Sequence, residues 1–181
     1  MGRLLHRCLI ATLGVVWLAA TPLRAEVSPE YKLKAAFVFN FAKFVEWPPK
    51  AFAGDHSPLV IGVLGDNPFD TVLDEMTQGK TVNGRPVEIK RSRRVEELTG
   101  CHVIFISASE KQRQAKILAA LKGSNALTVS DTDDFLESGG IIQLVMEEKK
   151  IRFDINARAA ERASLQISSQ LLNLARHMEE N

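Results

Sequence analysis

The side chains suited to metal binding or catalysis are few and scattered. His56, His102 and His177 lie far apart, with no HxxxH or Cys-His spacing, so no metal site is signalled. Asp131, Asp133 and Asp134 form an acidic cluster, but the glycine and distal glutamate of a calcium loop are missing. The cluster reads instead as a helix cap. The turn Gly62-Val63-Leu64-Gly65-Asp66-Asn67-Pro68 has too few glycines and no lysine for a phosphate loop, and Asp66 would repel an anion there. Gly65 reads as a turn residue and Asn67 as a helix cap. No serine sits in a G-x-S-x-G elbow, and Ser168 and Ser169 fall inside a helical pattern. Asp154 with Glu147 or Glu148 could form paired carboxylates. They flank opposite arms of an expected hairpin, however, and surface charge is the plainer reading. The chain therefore signals no catalytic residues, no metal and no cofactor, and is not expected to be an enzyme.

Compartment narrows the chemistry further. Residues 1–25 read as a secretory leader: Arg3 and Arg7 give a positive start, 9–20 a short apolar stretch, and 22–25 a small residue at which a signal peptidase cuts. The stretch is shorter than the roughly 20 apolar residues of a membrane span. The other apolar run, 35–45, is broken by Asn40 and Lys43. Cys8 precedes the apolar stretch, so it is not a lipoprotein anchor. Cleavage removes Arg3, Arg7 and Arg24 from 23 basic residues, leaving 20 against 22 acids and a net charge of −2. That near-neutrality leaves no electrostatic footprint for nucleic acid. The run Lys90-Arg91-Ser92-Arg93-Arg94 is followed by Glu96 and Glu97, and reads as a solvated strand end rather than a phosphate patch.

Residues 26–181 make one domain, large enough for its own core. Its single thiol, Cys101, excludes an internal disulfide. Cys101 precedes the apolar run 102–106 and reads as a core thiol. An intermolecular disulfide or a redox role is the other reading.

The elements that must position these groups follow from punctuation and period. Ser28 and Pro29 open a helix over 28–46 that Pro48-Pro49 stops. Strands are expected over 59–64, 87–90, 102–107 and 126–129, with a turn at Asn83-Gly84. Helices are expected from Asn67-Pro68 to about Gln78, over 110–121 with Ser109 as cap, and over 131–138. Residues 139–147 and 150–155 form a hairpin about Glu148-Lys149. Asn156 caps a helix to about Ala163, and 165–178 repeats Ile167, Leu171, Leu174 and Met178 at the helical period. Strands apolar throughout and alternating with helices imply a mainly parallel sheet covered on both faces. The expected fold is a three-layer α/β sandwich with a C-terminal antiparallel hairpin, and ligands could bind at the C-terminal ends of its strands.

The block over 31–49 is the most unusual. It carries four of the nine phenylalanines and one of the two tryptophans. At about 100° per residue, Leu33, Phe37, Val38, Phe41, Phe44 and Val45 share an arc that should face the core. Lys32, Lys43 and Glu46 lie opposite, and Phe39 falls among them. Either a neighbouring loop covers Phe39, or Phe39 with Trp47 joins a partner or dimer surface. A second candidate surface is Asp154 with Arg158 and Arg162, the two arginines spaced i, i+4; the alternative there is a solvated charged face.

Two blocks together resemble the YfiR family (DUF4154). One is the 31–49 block, with its AAFVFNFAKFVEWP core. The other is Ser138-Gly139-Gly140-Ile141-Ile142, followed by Ile151-Arg152-Phe153-Asp154-Ile155-Asn156 and the helix over 167–176. Between them lie Ile61-Gly62-Val63-Leu64-Gly65 and Gly100-Cys101-His102-Val103-Ile104-Phe105-Ile106. The resemblance implies a non-enzymatic periplasmic repressor that binds the sensor domain of an inner-membrane diguanylate cyclase. It further implies that an OmpA-like outer-membrane lipoprotein sequesters the repressor, that cyclic di-GMP then rises and favours biofilm, and that homodimers form. Family members can carry internal disulfides, which this chain with its one remaining cysteine departs from. The competing reading is a periplasmic small-ligand-binding protein, which requires a closed apolar pocket with a few converging polar groups.

Overall fold

The computed structural model describes residues 27–179. The expected leader lies outside them. Ser28 accepts a hydrogen bond from the Tyr31 amide at the start of α1 (Pro29–Phe41), and Pro29 occupies its first turn. Then follow β1 (Val45–Glu46), β2 (Leu59–Leu64), α2 (Val72–Thr77), β3 (Thr81–Val82) and β4 (Arg85–Ser92). β5 (Val103–Ile106), α3 (Gln114–Ala120), β6 (Leu127–Ser130), β7 (Ile142–Glu147) and β8 (Lys150–Asn156) complete the central alternation. The chain ends with α4 (Ala157–Arg162), β9 (Gln166–Ile167), α5 (Ser169–Leu174) and β10 (Met178–Glu179).

Eight strands form one sheet in the order β10-β8-β7-β6-β5-β2-β4-β3. β4, β2, β5, β6 and β7 run parallel, β8 is antiparallel to β7, and β3 is antiparallel to β4. β1 and β9 make a separate antiparallel pair. Alternate side chains enter two cores. Ile61, Val63, Val103, Phe105, Leu127 and Val129 face the larger one, shared with α1, α2 and α5. Leu64, Ile104 and Ile106 face the smaller one, shared with α3 and the turn at Phe135-Leu136. This is the expected three-layer α/β sandwich with a mainly parallel sheet. The expected hairpin is β7–β8, but the edge beyond it is β10, parallel to β8.

Several boundaries differ from the expectations. α1 stops at Phe41, and Val45–Glu46 becomes a strand because β9 pairs with it. The single helix expected over 165–178 is β9, α5 and β10. Ser168 caps α5 by accepting from the Leu171 amide, and after Ala175 the backbone turns extended and joins the sheet edge. Ser107, not Ser109, precedes the 3₁₀ turn Ala108–Arg113 that leads into α3. Residues 131–138 form turns rather than a capped helix. Asn67 does not cap α2; its side chain accepts from the Phe69 amide and donates to the Asp70 carbonyl. Asn83 and Gly84, both at positive φ, form the expected turn, which here closes a β3–β4 hairpin.

The helix arcs also need correcting. Leu33 is 47% exposed, although it was placed with the core arc. Lys34 is buried in its stead, because it reaches the end of β6. Its ammonium lies 2.6 Å from Asp131 Oδ2 and 2.5 Å from Glu30 Oε1. Tyr31 Oη donates to the same Asp131 oxygen at 3.0 Å. Burial alone would push the lysine pKa down, but the bonds to Asp131 and Glu30 outweigh it and the net shift is upward. Asp131 is thus an ion-pair partner for α1, and its Oδ1 is buried without a hydrogen bond.

Two glycines are demanded by space. A Cβ on Gly140 would lie 2.2 Å from the Phe135 ring, so the Gly-Gly motif is where that ring seals the smaller core. Gly65, at φ +90°, lies where a Cβ would overlap Ser109 and Glu110.

Removing one member of a buried pair leaves an uncompensated charge. Asp131→Ala should therefore lower the unfolding free energy by about 3 kcal/mol, the low end for such a loss because Glu30 still faces Lys34. Urea unfolding checks this through a fall in midpoint at unchanged slope. The double change Lys34→Met with Asp131→Leu should recover most of the loss. A single-variant loss below about 1 kcal/mol would make the pair incidental.

Candidate binding surface

The C-terminal ends of the parallel strands, where this fold most often binds ligands, are filled by the chain's own side chains. Between β2 and β5 the Ser109 hydroxyl accepts from the Asp66 amide at 2.9 Å, and the buried Glu110 side chain pairs with Arg113. Between β5 and β6, Ser130 donates to the Ile106 carbonyl at 2.8 Å and contacts Thr132, which bonds Gln114. Lys34 and Asp131 close the remaining flank. The basic run is likewise spent within the fold: Arg91 pairs with Asp74, Arg93 with Asp66 and Arg94 with Glu97. Among the described residues there is no group of three His, Cys, Asp or Glu placed to hold a metal ion, and no helix is long and apolar enough to cross a membrane.

The expected contact residues are not brought together on one patch. Phe39 is 8% exposed and belongs to the larger core, with the Lys43 ammonium 4.4 Å from its ring centre. A covering within the chain was one of its two readings, and the ring itself offers little surface. Asp154 is also buried rather than at the surface. It accepts from Arg176 Nε at 3.0 Å and Nη2 at 2.5 Å, and from the His177 amide at 3.1 Å. That arrangement fastens β10 to β8. Arg158 and Arg162 are exposed on α4, whose start Asn156 caps by accepting from the Ala159 amide.

Trp47 sits in a different place, at the opposite end of the sheet. Its Nε1 donates to the His102 carbonyl at 3.2 Å, and its ring meets the imidazole edge-on. Phe52 stacks on His102 at 4.4 Å, and the Arg85 guanidinium lies 3.8 Å over Phe52. Trp47, Phe52, Leu59, Val82 and Arg85 line a cleft of about 370 Å³. His102 Nδ1 accepts from the Val60 amide at 3.0 Å, which leaves Nε2–H to donate to the Ala51 carbonyl at 3.1 Å. A second proton would have to face the Val60 N–H. Burial pushes the imidazole below its ordinary value, and Arg85 adds to the effect against the bond to Ala51. Neighbouring Cys101 is a core thiol, as expected from its position, and burial pushes it up to about 11.

A larger groove, about 550 Å³, opens between α3, the 137–139 turn and α4. Its walls are Ala115, Leu118 and Ala119 on one side and Ala159, Arg162 and Ala163 on the other. Arg162 is thus the one expected contact residue that borders a cavity of this size. Lys34–Asp131, the Phe52–His102–Arg85 stack and this groove were not foreseen. Their signals were a lysine inside an apolar helix and alanines four apart on two short helices.

These observations define a class: a three-layer α/β domain whose strand ends carry its own polar side chains and whose exposed features are surface charge and apolar grooves. The profile of the YfiR/HmsC-like family (DUF4154) matches residues 31–176. The chain belongs to that family, which is regulatory rather than catalytic. A crystal structure of a conserved domain protein from Vibrio cholerae O1 biovar eltor shares the fold at a TM-score of 0.57 and 12% identity, over 84% of this chain and 60% of that one. The present chain thus spans about three fifths of that protein's solved length. The ABC domain from Streptococcus pneumonia, solved in complex with L-Trp, is similar at 0.48 and 12% identity, over 72% and 57% of the two chains. That likeness is too slight to carry any argument.

Two outcomes follow. Because the folded His102 pKa is depressed, the unfolded state takes up the extra proton first, and stability should fall as pH drops through about 6.5 and level off below the folded value. Urea unfolding from pH 8 to 5 checks this, with His102→Asn expected to flatten the slope over that window. Asp154→Ala should free β10 and cost about 2 kcal/mol, less than a fully buried pair because Arg176 is one-third exposed. Hydrogen exchange reads it directly, since the Ile155 amide that bonds His177 should lose protection.

Proposed function

We propose that this chain is a periplasmic regulatory protein that binds the sensor domain of an inner-membrane diguanylate cyclase and represses it, lowering cyclic di-GMP and biofilm formation. The observation that carries this reading is the family match over 31–176, which spans nearly all of the described residues. Export through the 1–25 leader would place the protein beside such a sensor domain. An OmpA-like outer-membrane lipoprotein would release the cyclase by sequestering the repressor, and dimers of the chain would be a further state. The strand ends, the usual ligand position, are occupied by Ser109, Glu110 and Ser130, which favours contact through an outer surface over a ligand held there.

The small-ligand alternative draws on the 550 Å³ groove, which lies within the size range of ligand sites. Its hydroxyl side chains are already engaged within the protein, however, and its charged ones, Lys122, Glu137 and Arg162, stand exposed to solvent. Thr128 Oγ1 accepts from the Ile141 amide, Ser124 donates to the Leu121 carbonyl, and Ser138 donates to the Asp134 carbonyl. A partner's surface suits such a lining better than a ligand that needs converging polar groups.

Deletion in a strain that keeps the cyclase should raise cyclic di-GMP and surface attachment, both returning to baseline on complementation. An unchanged level would remove the repressor reading, and saturable thermal stabilisation by a metabolite would then favour the alternative.

A further inference from the structure

The groove between α3 and α4 lies where the sheet is incomplete. β6 pairs with β5 along all four of its residues, but with β7 only at Val129 and Ser130. The first half of β6 therefore has no strand beside it on the β7 side, and Ala126 and Thr128 line the groove there. An unpaired strand edge is a template for an incoming chain. The walls admit one. Ala115 and Ala119 stand four apart on α3, and Ala159 and Ala163 four apart across α4 and its end, so backbone can approach on both sides. Leu118, Leu121 and Ile141 add apolar depth.

Charge selects what enters. Arg162 and Lys122 stand on the rim, exposed, and neither has an ion-pair partner among the described residues. Arg158, one turn before Arg162, is in the same state. Arg91, Arg93, Arg94, Arg113 and Arg176 are all paired. Glu137 is the single acid lining the groove, so its rim carries two free cations against one carboxylate.

We propose that this groove docks an extended, acidic segment of a partner protein, with an apolar side chain seated between the alanine walls and carboxylates against Arg162 and Lys122. It deepens the binding-regulator reading by naming the surface that reading lacks.

The test uses the protein with its alanine methyl groups isotopically labelled, titrated with the peptide acetyl-Glu-Asp-Leu-Ile-Asp-Glu-amide and with a counterpart in which lysines replace the four acids. The methyl resonances of Ala115, Ala119, Ala159 and Ala163 should shift saturably with the acidic peptide. Affinity should fall at least tenfold for the lysine peptide and for Arg162→Glu, whose thermal unfolding should match the parent. Ala119→Leu, at an exposed helix position, should fill the groove and abolish binding while remaining folded. Unmoved methyls, or equal response to both peptides, overturn the proposal. With the purified cyclase sensor domain as a second probe, binding that leaves the four methyls unmoved overturns the groove and leaves the repressor reading intact. Peptide binding without sensor-domain binding supports the groove and counts against that reading. Concentration-dependent shifts of the same methyls with a doubling of mass would assign the groove to a second copy of the chain and overturn the proposal.

Discussion

A parallel sheet whose central strands, β2 and β5, bury apolar side chains on both faces sets the terms for everything else in this molecule. Such a sheet is stable only if each face is removed from water, and burying one large apolar side chain contributes roughly 1.5–3 kcal/mol. The larger core is closed by α1, α2 and α5, and the smaller by α3 and the Phe135-Leu136 turn. This explains α1 without a membrane. Its aromatic side chains are the cover over β8 and β5: Phe41 meets Phe153 edge-on at 5.1 Å, and Tyr31 meets Phe69, which meets Phe105. A helix apolar on nearly every side still needs a fixed rotation. Lys34 supplies it, because a buried ammonium has only one arrangement that satisfies it, against Asp131 and Glu30.

The layers were legible because they rest on patterns that survive without partners. Continuous apolar runs read as buried strands, and Asn83-Gly84 read as a turn, since both are local statements. The C-terminal third was legible only in part. The residues over 165–178 do repeat at the helical period, yet pairing with β1 and β8 overrode that period at both ends. The same tertiary override removed the expected cap at Asp131, whose carboxylate was drawn to a lysine 97 residues away in the chain. Asp154 read as surface charge for the converse reason, since nothing local to it shows that Arg176 returns to cover it. Helix-arc reasoning misplaced Leu33 because it weighs apolarity and takes no account of ion pairing.

Filling the strand ends has a functional side. In an open α/β sheet the crevice at the point where connections diverge is the natural ligand site. Here it lies between β2 and β5, and Gly65 allows Ser109 and Glu110 to press into it. The polar chain Ser130–Thr132–Gln114 occupies the next position. A regulator that works by contact gains from such filling. On the reading proposed above, its specificity would lie at the rims and edges of the sheet.

Where on those rims the specificity sits can be argued from which charges the fold has already used. Exposed ion pairs add at most about 1 kcal/mol to stability, so pairing Arg91, Arg93 and Arg94 with nearby acids does little to hold the fold. It does remove the strongest basic patch in the sequence from the molecule's outer field, and with it the main attraction for a polyanion. Arg162 and Lys122 are left unneutralised, at the place where β6 lacks a neighbour and alanines line the walls. Their charge serves no bond within the described fold. Positive charge left free beside an apolar groove steers an acidic partner on approach and sets its orientation, while the apolar floor supplies most of the affinity.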